Sequence, residues 1–414
     1  MADSFQSGTI TTLHNIANRP LESLEAELKK FSKTRPMGLI LPSLFSELER
    51  PALTGIVDEL SKVEYLDSIV IGLDRANQSE YKHAIKFFDR LPQDHKILWN
   101  DGPNLMAIDK KLKEEGLAPT ELGKGRNVWY CMGYMLAQNR AEAIALHDCD
   151  ITTYHRSLLA KLIYPVANPN FSFQFSKGYY TRVNNHKLGG RVSRLLVSPL
   201  IRALQTNRDA GQHEYLTFMD SFRYSLAGEF SMRREVMNGL RIPSDWGLEV
   251  GVLMEMLRNY STRRICQVEV ADIYDHKHQD LSEDNEDSGL SRMSIDISKA
   301  FFRKLATDGI VFDRGIFRSL KATYYRIALD LIDSYRCDSE MNGLDFDIHT
   351  EEKMVELFAE NIMKAGETFL SKPMEQPFIP HWNRVVSAIP NIFDQLLEAV
   401  EKDQKENSQF ICKN

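Results

Sequence analysis

Four short apolar runs, GLILPSLF, DSIVIGLD, HKILWND and AEAIALHDCD, alternate with longer stretches of helical spacing between Met37 and Asp150. Strands that read as continuous apolar runs are covered on both faces, and strands separated by helices pair in parallel, so this half predicts an α/β fold around a mostly parallel sheet. Further along, FSFQFSKGYYTRV alternates as a strand does and RRICQVEVADIYDHKH does so less cleanly, with a helix expected over GLEVGVLMEML between them. Before Met37, the positions Leu21, Leu24, Leu28 and Phe31 recur at helical spacing and predict one short amphipathic helix. The stretch SEDNEDSG, 282–289, is acidic and has no apolar anchor, which predicts a solvated loop at a domain boundary. Beyond it the chain turns helical: Leu320, Tyr324, Ile327 and Leu331 share a face, and a helix is expected from Thr350 through TEEKMVELFAENIMKA. The expected organisation is a helical lead-in over 1–36, a catalytic α/β domain over 37–280, and an acidic loop with a mainly helical C-terminal region over 281–414. There is no internal repeat.

Composition narrows the function classes. With 414 residues, 43% of them hydrophobic, the chain can bury one large core. A net charge of -7 and a pI near 5.9 supply no basic field for nucleic acid or anionic lipid. The N-terminus lacks a cationic start followed by an apolar core, and no apolar run reaches membrane-spanning length, so the cytoplasm is the expected compartment. The five cysteines, Cys131, Cys149, Cys266, Cys337 and Cys412, show no CxxC spacing and read as reduced thiols.

The chemistry concentrates where the apolar runs stop. In sheets of this kind ligands sit outside the carboxyl ends of the strands, and Asp74, Asp101, Asp148 and Asp150 all fall at such ends. Asp148 and Asp150, one residue apart in DCD, can face one ligand if the turn breaks the alternation of the pleat. Hard oxygen donors of this kind suit Mg²⁺ or Mn²⁺ bridging to a substrate phosphate; the alternative is a solvated turn. Upstream, Gly123-Lys124-Gly125 opens a helix, RNVWYCMGYMLA, where an ammonium and close backbone approach suit a phosphate, although a plain turn with a surface lysine has the same signature. His276, near the end of a late strand, is a third metal-ligand candidate or a structural histidine. Arg191 can fork onto an anion beside the preceding glycines or form a surface ion pair. Glu249 sits in an otherwise apolar helix, where carboxylates are usually paired or functional.

Eight segments occur in one order: LPSLFSE, GKG, DCDI, KGYYTR, GGRVS, LAGEF, GLEVG and DHKH. Over roughly 37–280 this series resembles the nucleotide-sugar glycosyltransferases of the GT-A fold, and more closely the retaining glucosyl-3-phosphoglycerate synthases of glycosyltransferase family 81. The resemblance implies a Rossmann-like nucleotide-diphospho-sugar domain that transfers glucose from a nucleoside-diphosphate donor to the 2-hydroxyl of 3-phosphoglycerate, with a divalent Mg²⁺ or Mn²⁺. It places Pro42, Glu47, Asp74, Lys124, Asp148 and Cys149 at the donor, and Asp148, Asp150 and His276 at the metal. Glu249 and Asp245 would face the transferred hexose, with Lys124 assisting departure of the diphosphate. Tyr180, Gly190, Arg191, Val192 and Ser193 would bind the acceptor, together with His278, which stands where the family carries asparagine. PSLFSE likewise departs from the family's PALNEE-like pattern.

Two other readings remain. Mannosylglycerate and mannosyl-3-phosphoglycerate synthases, which use GDP-mannose, share the sheet, the DxD and an SDWG stretch like that at 244–247. A non-catalytic sugar-nucleotide-binding scaffold would work through the C-terminal helices. The helical stripes of that region also suit a homodimer surface.

Overall fold

The computed structural model describes residue 6 and residues 8–17, 19–206, 213–244, 247–276, 289–373 and 378–408. Its strands are β1 (Thr11–Leu13), β2 (Met37–Leu44), β3 (Leu66–Asp74), β4 (Asp94–Trp99), β5 (Ala143–Leu146), β6 (Phe175–Asn184), β7 (Lys187–Leu188), β8 (Phe230–Arg233), β9 (Ile242–Pro243), β10 (Ile265–Tyr274) and β11 (Phe378–Ile379). One nine-stranded sheet runs β1-β10-β6-β8-β5-β2-β3-β4, with β7 paired to β6, and β9 and β11 form a separate antiparallel pair. The four apolar runs become β2, β3, β4 and β5, all parallel, as continuous two-sided burial requires. The antiparallel strand β8 is inserted between β5 and β6. Since β10 then pairs in parallel with β6, the carboxyl ends of β2, β3, β4, β5, β6 and β10 open on one rim. This is the mixed α/β, GT-A architecture with a helical C-terminal region.

The lead-in does more than its helical spacing announces. The helix Leu21–Phe31 buries Leu24 and Leu28 and packs on the helix Arg156–Ala167, while β1 joins the sheet as its edge strand beside β10. Three residues of mixed burial carry too little pattern to be read as a strand. The helix expected from Thr350 begins at Ile348, because Asp347 accepts a hydrogen bond from the Thr350 amide at 3.1 Å and caps it. The acidic segment 282–288 lies outside the described residues, and Gly289–Thr307 follows it as helix. No described helix is long and apolar enough to cross a membrane.

The C-terminal helices share a core with the sheet. Helix Ile392–Ser408 packs on the helices Pro103–Glu114 and Lys124–Gln138. Trp382 stacks on Trp129 with ring centroids 4.1 Å apart, donates to the Trp129 carbonyl at 3.0 Å, and Trp129 donates to the Pro380 carbonyl at 2.8 Å. Both indoles are buried with their N–H groups satisfied, so this contact fixes the helix that carries Lys124. Trp382→Ala should lower the unfolding free energy by about 3–5 kcal/mol, read as a shifted denaturation midpoint; an unchanged midpoint would show that the stack does not hold the two regions together.

Candidate active site

The site grows from the strand ends on that rim. Asp74 closes β3, Asp148 and Asp150 follow β5, and His276 follows β10, with Ile151 and His276 bridged in antiparallel fashion so that the two segments lie side by side. Asp148, Asp150 and His276 each offer a ligand atom, and these atoms all lie within 4.8 Å of one another. Asp150 Oδ1 stands 3.8 Å from His276 Nδ1 and, among the described residues, accepts no hydrogen bond although it is buried. Burial and the neighbouring Asp148 push the Asp150 carboxyl up to about 7. Two carboxylate groups, one with a buried oxygen that accepts no hydrogen bond, and an imidazole fit a divalent cation. The preceding His147 is fully buried, and that burial pushes it down to about 3, so its ring is neutral.

Lys124 occupies the first turn of the helix Lys124–Gln138 and bridges two of the acids. Its Nζ lies 2.6 Å from Asp148 Oδ1 and 3.1 Å from Glu249 Oε1, with about a third of its side chain exposed. Burial opposes the charge, but the two carboxylates outweigh it and raise the lysine above its ordinary value. Burial would likewise raise Asp148, yet the Lys124 ammonium brings it below the usual carboxylate range. The glycine of GKG has a packing reason here: a Cβ on Gly125 would stand 2.2 Å from the Pro243 carbonyl oxygen, so the helix start lies flush against β9. Glu249 faces Lys124 from the first turn of the helix Leu248–Asn259.

Of the residues expected at the donor, Pro42 lies in β2, and the buried Glu47 follows it in a short helix, 3.8 Å from Arg50. Cys149 is buried, with its thiol beside Ser43 and pushed well up by that burial. Asp74 accepts from Asn100 Nδ2 at 2.6 Å and faces the buried Arg126 at 4.0 Å. Burial pushes its carboxyl up to about 6 in spite of both partners.

Of the residues expected at the acceptor, Tyr180 is buried and stacked on Tyr274 at 3.7 Å. Gly190 follows with φ +71°, then Arg191, then a π-helical stretch Val192–Val197 leading into the helix Ser198–Gln205. Val192 is buried, and Ser193 Oγ has no hydrogen-bond partner among the described residues. Asp245 and His278 lie outside the described residues.

Two residues that bind these parts together were quoted in KGYYTR and LAGEF without being singled out. Glu229 is fully buried beside Asp148 and accepts from Tyr180 Oη at 2.6 Å and Tyr274 Oη at 2.7 Å; burial and the Asp148 charge raise its carboxyl. Lys177, also buried, donates to the Ala227 carbonyl at 2.5 Å, and burial pushes it down to about 8 despite the neighbouring Glu249 and Glu229. Between them, a Cβ on Gly228 would meet Asp148 Oδ2 at 2.3 Å, so this backbone is pressed against the acidic pair. The signal available in the sequence was one lysine and one glutamate in otherwise apolar or small-residue stretches, Lys177 in β6 and Glu229 just before β8.

A GT-A sheet with an acid–acid–histidine cluster and an ammonium on the same rim defines a nucleotide-sugar transferase of metal-dependent design. Comparison with known proteins makes this specific. Glucosyl-3-phosphoglycerate synthase of Persephonella marina is 47% identical over 407 residues, 98% of this chain and 100% of that protein. The synthase of the same name from Methanococcoides burtonii is 38% identical over 407 residues, 97% of this chain and 98% of that protein. The chain belongs to the glucosyl-3-phosphoglycerate synthase family and is a hexosyltransferase. No family model matches it. Among solved structures, glucosyl-3-phosphoglycerate synthase from Mycobacterium tuberculosis in complex with Mn²⁺, UDP-glucose and phosphoglyceric acid matches with TM-score 0.53 and 20% identity, over 74% of this chain and 89% of that one. Mannosyl-3-phosphoglycerate synthase from Rubrobacter xylanophilus matches with TM-score 0.54 and 20% identity, over 73% and 83%. At such identities the structures share the fold.

A buried acid whose folded pKa is raised costs stability once it must ionise. Asp74 costs nothing below its unfolded value near 4, and the cost is complete above about 6. Asp74→Asn should therefore gain up to about 2–3 kcal/mol of stability at pH 8 relative to its effect at pH 4; denaturation at both pH values reads the difference, and an equal effect at both would contradict a strained carboxylate.

Proposed function

We propose that this chain transfers glucose from a nucleoside-diphosphate donor to the 2-hydroxyl of 3-phosphoglycerate with retention of anomeric configuration. The observation that carries the reading is the Lys124 ammonium set between Asp148 and Glu249 beside the Asp148, Asp150 and His276 cluster, in a chain 47% identical to a synthase of that name. The roles of the site residues follow the family resemblance, and the geometry of the described ones supports them. Asp148, Asp150 and His276 would hold a Mg²⁺ or Mn²⁺ ion, which would supply Lewis-acid neutralisation of charge on the departing diphosphate. Lys124 pairs with the same diphosphate, and Pro42, Glu47, Asp74 and Cys149 border the nucleoside. Glu249, with Asp245 beside it in sequence, orients the hexose and the acceptor, a proximity role rather than that of a covalent nucleophile. The acceptor proton passes to the leaving diphosphate on the face from which the acceptor attacks. Tyr180, Gly190, Arg191, Val192 and Ser193, with His278, bind the acceptor, Arg191 forking onto its anion.

The catalytic unit is assigned to 37–280, preceded by the lead-in of 1–36 and followed by an acidic loop and a mainly helical C-terminal region over 281–414. A cytoplasmic location is supported by the unpaired thiols of Cys131, Cys149, Cys266 and Cys337. A homodimer is our proposal from the helical stripes of the C-terminal region. Mannosyl transfer from GDP-mannose has only fold-level likeness behind it.

The test offers UDP-, ADP- and GDP-glucose and GDP-mannose with 3-phosphoglycerate or D-glycerate, in Mg²⁺ or EDTA, and reads the product by mass spectrometry. A glucosyl-phosphoglycerate that forms only with the metal is expected. Asp150→Ala should lower turnover on the order of 10²–10³-fold. A mannosyl product, or equal turnover in EDTA, would overturn the assignment.

A further inference from the structure

The acceptor segment is held from outside the sheet domain. Arg194, buried on the π-helical stretch, spends its Nε on the Gly189 carbonyl at 2.8 Å and an Nη2 proton on the Leu188 carbonyl at 3.2 Å. Its remaining contacts form a fork onto Glu351, Nη1 to Oε2 at 2.9 Å and Nη2 to Oε1 at 3.3 Å, while its guanidinium lies 4.7 Å over the Tyr335 ring. Glu351 stands in the first turn of the helix Ile348–Ser371 and is 6% exposed. Two further contacts run the same way. Tyr324 donates to the Leu195 carbonyl at 2.6 Å, and the Asp345 amide donates to the His186 carbonyl at 2.7 Å. The helices Arg314–Met341 and Ile348–Ser371 and the turn between them therefore grip 186–195 along its length.

Arg191 shares the same carboxylate on different terms. Its Nε lies 3.6 Å from Glu351 Oε1, beyond a good hydrogen bond, and about a third of its side chain is exposed. One carboxylate thus faces two guanidiniums and leaves an excess positive charge. Arg194, with four of its five N–H protons in hydrogen bonds, carries the neutralised share. Arg191 keeps the unneutralised share on the open side, where it can turn onto an anion without breaking a hydrogen bond.

We propose that Glu351 is a positioning residue for the phosphorylated acceptor, fixing the backbone of Gly189–Ser193 through Arg194 and holding Arg191 at the cleft as the group that receives the phosphate. This rests on the assignment of that segment to the acceptor. A buried guanidinium left without its carboxylate would draw on the carbonyls and anions around it, and the loop would lose the geometry that Arg194 braces.

The experiment measures KM for 3-phosphoglycerate, KM for the donor, kcat and the thermal midpoint for Glu351→Gln and Arg191→Ala. For Glu351→Gln the expected result is a KM for phosphoglycerate raised about tenfold or more, with donor KM and kcat within about twofold. Glu351→Asp, which keeps the charge but cannot span both guanidiniums, should fall between the two and serves if the glutamine variant is insoluble. If Arg191→Ala raises the acceptor KM and the Glu351 variants do not, the proposal is overturned and the acceptor assignment stands. If neither position moves that KM, both fall. If the Glu351 variants lower the midpoint and shift all kinetic constants together, Glu351 is a packing residue and the proposal is wrong.

Discussion

The ammonium of Lys124, shared between Asp148 and Glu249, is the interaction on which the site depends. It joins three segments far apart in the chain: the start of a helix, the turn after β5 and the first turn of a second helix. It also shows how the charge is balanced. When ionised, Asp148, Asp150, Glu229 and Glu249 stand against Lys124 and Lys177, an excess of two negative charges in a largely buried region. The rise of Asp150 to about 7 is the response of the protein alone, to burial first and to that excess second. A divalent cation removes it and leaves Lys124 available to a diphosphate, so metal and donor are expected to bind as one electrostatic event.

Around this centre the parts are held by packing rather than by further charge. Stacked Tyr180 and Tyr274 deliver two hydroxyls to Glu229, and Gly228 lets the same segment press against Asp148. The Trp129–Trp382 stack fixes the helix that starts at Lys124. Ionisable groups kept in such surroundings cost folding energy, and proteins retain them where chemistry needs them. The C-terminal region contributes to the same frame: it covers helices of the sheet domain at one end and grips 186–195 at the other.

Much of this was legible in the sequence, for identifiable reasons. A parallel strand buried on both faces must be a continuous apolar run, so β2 to β5 and the carboxylates that end them stood out, and spacing brought Asp148, Asp150 and Lys124 forward as candidates. The order of short segments, more than any one of them, carried the acceptor assignment. What pattern could not show were contacts made by few residues or by distant ones. β1 has three residues and β8 only four, too short to carry a period. The burial of Glu229 and Lys177 depends on which strands become neighbours, and the pairing of Arg191 and Arg194 with Glu351 spans more than 150 positions. Gly125 was read for phosphate approach, and its closest constraint is the Pro243 carbonyl.

The most direct test of the account is the anomalous diffraction of crystals grown with Mn²⁺ and UDP. The account predicts a manganese peak among Asp148, Asp150 and His276, with a phosphate oxygen on the ion and the Lys124 ammonium turned onto the diphosphate. A diphosphate bound with no peak at those three residues, or with Lys124 still bridging Asp148 and Glu249 away from it, would contradict the central claim.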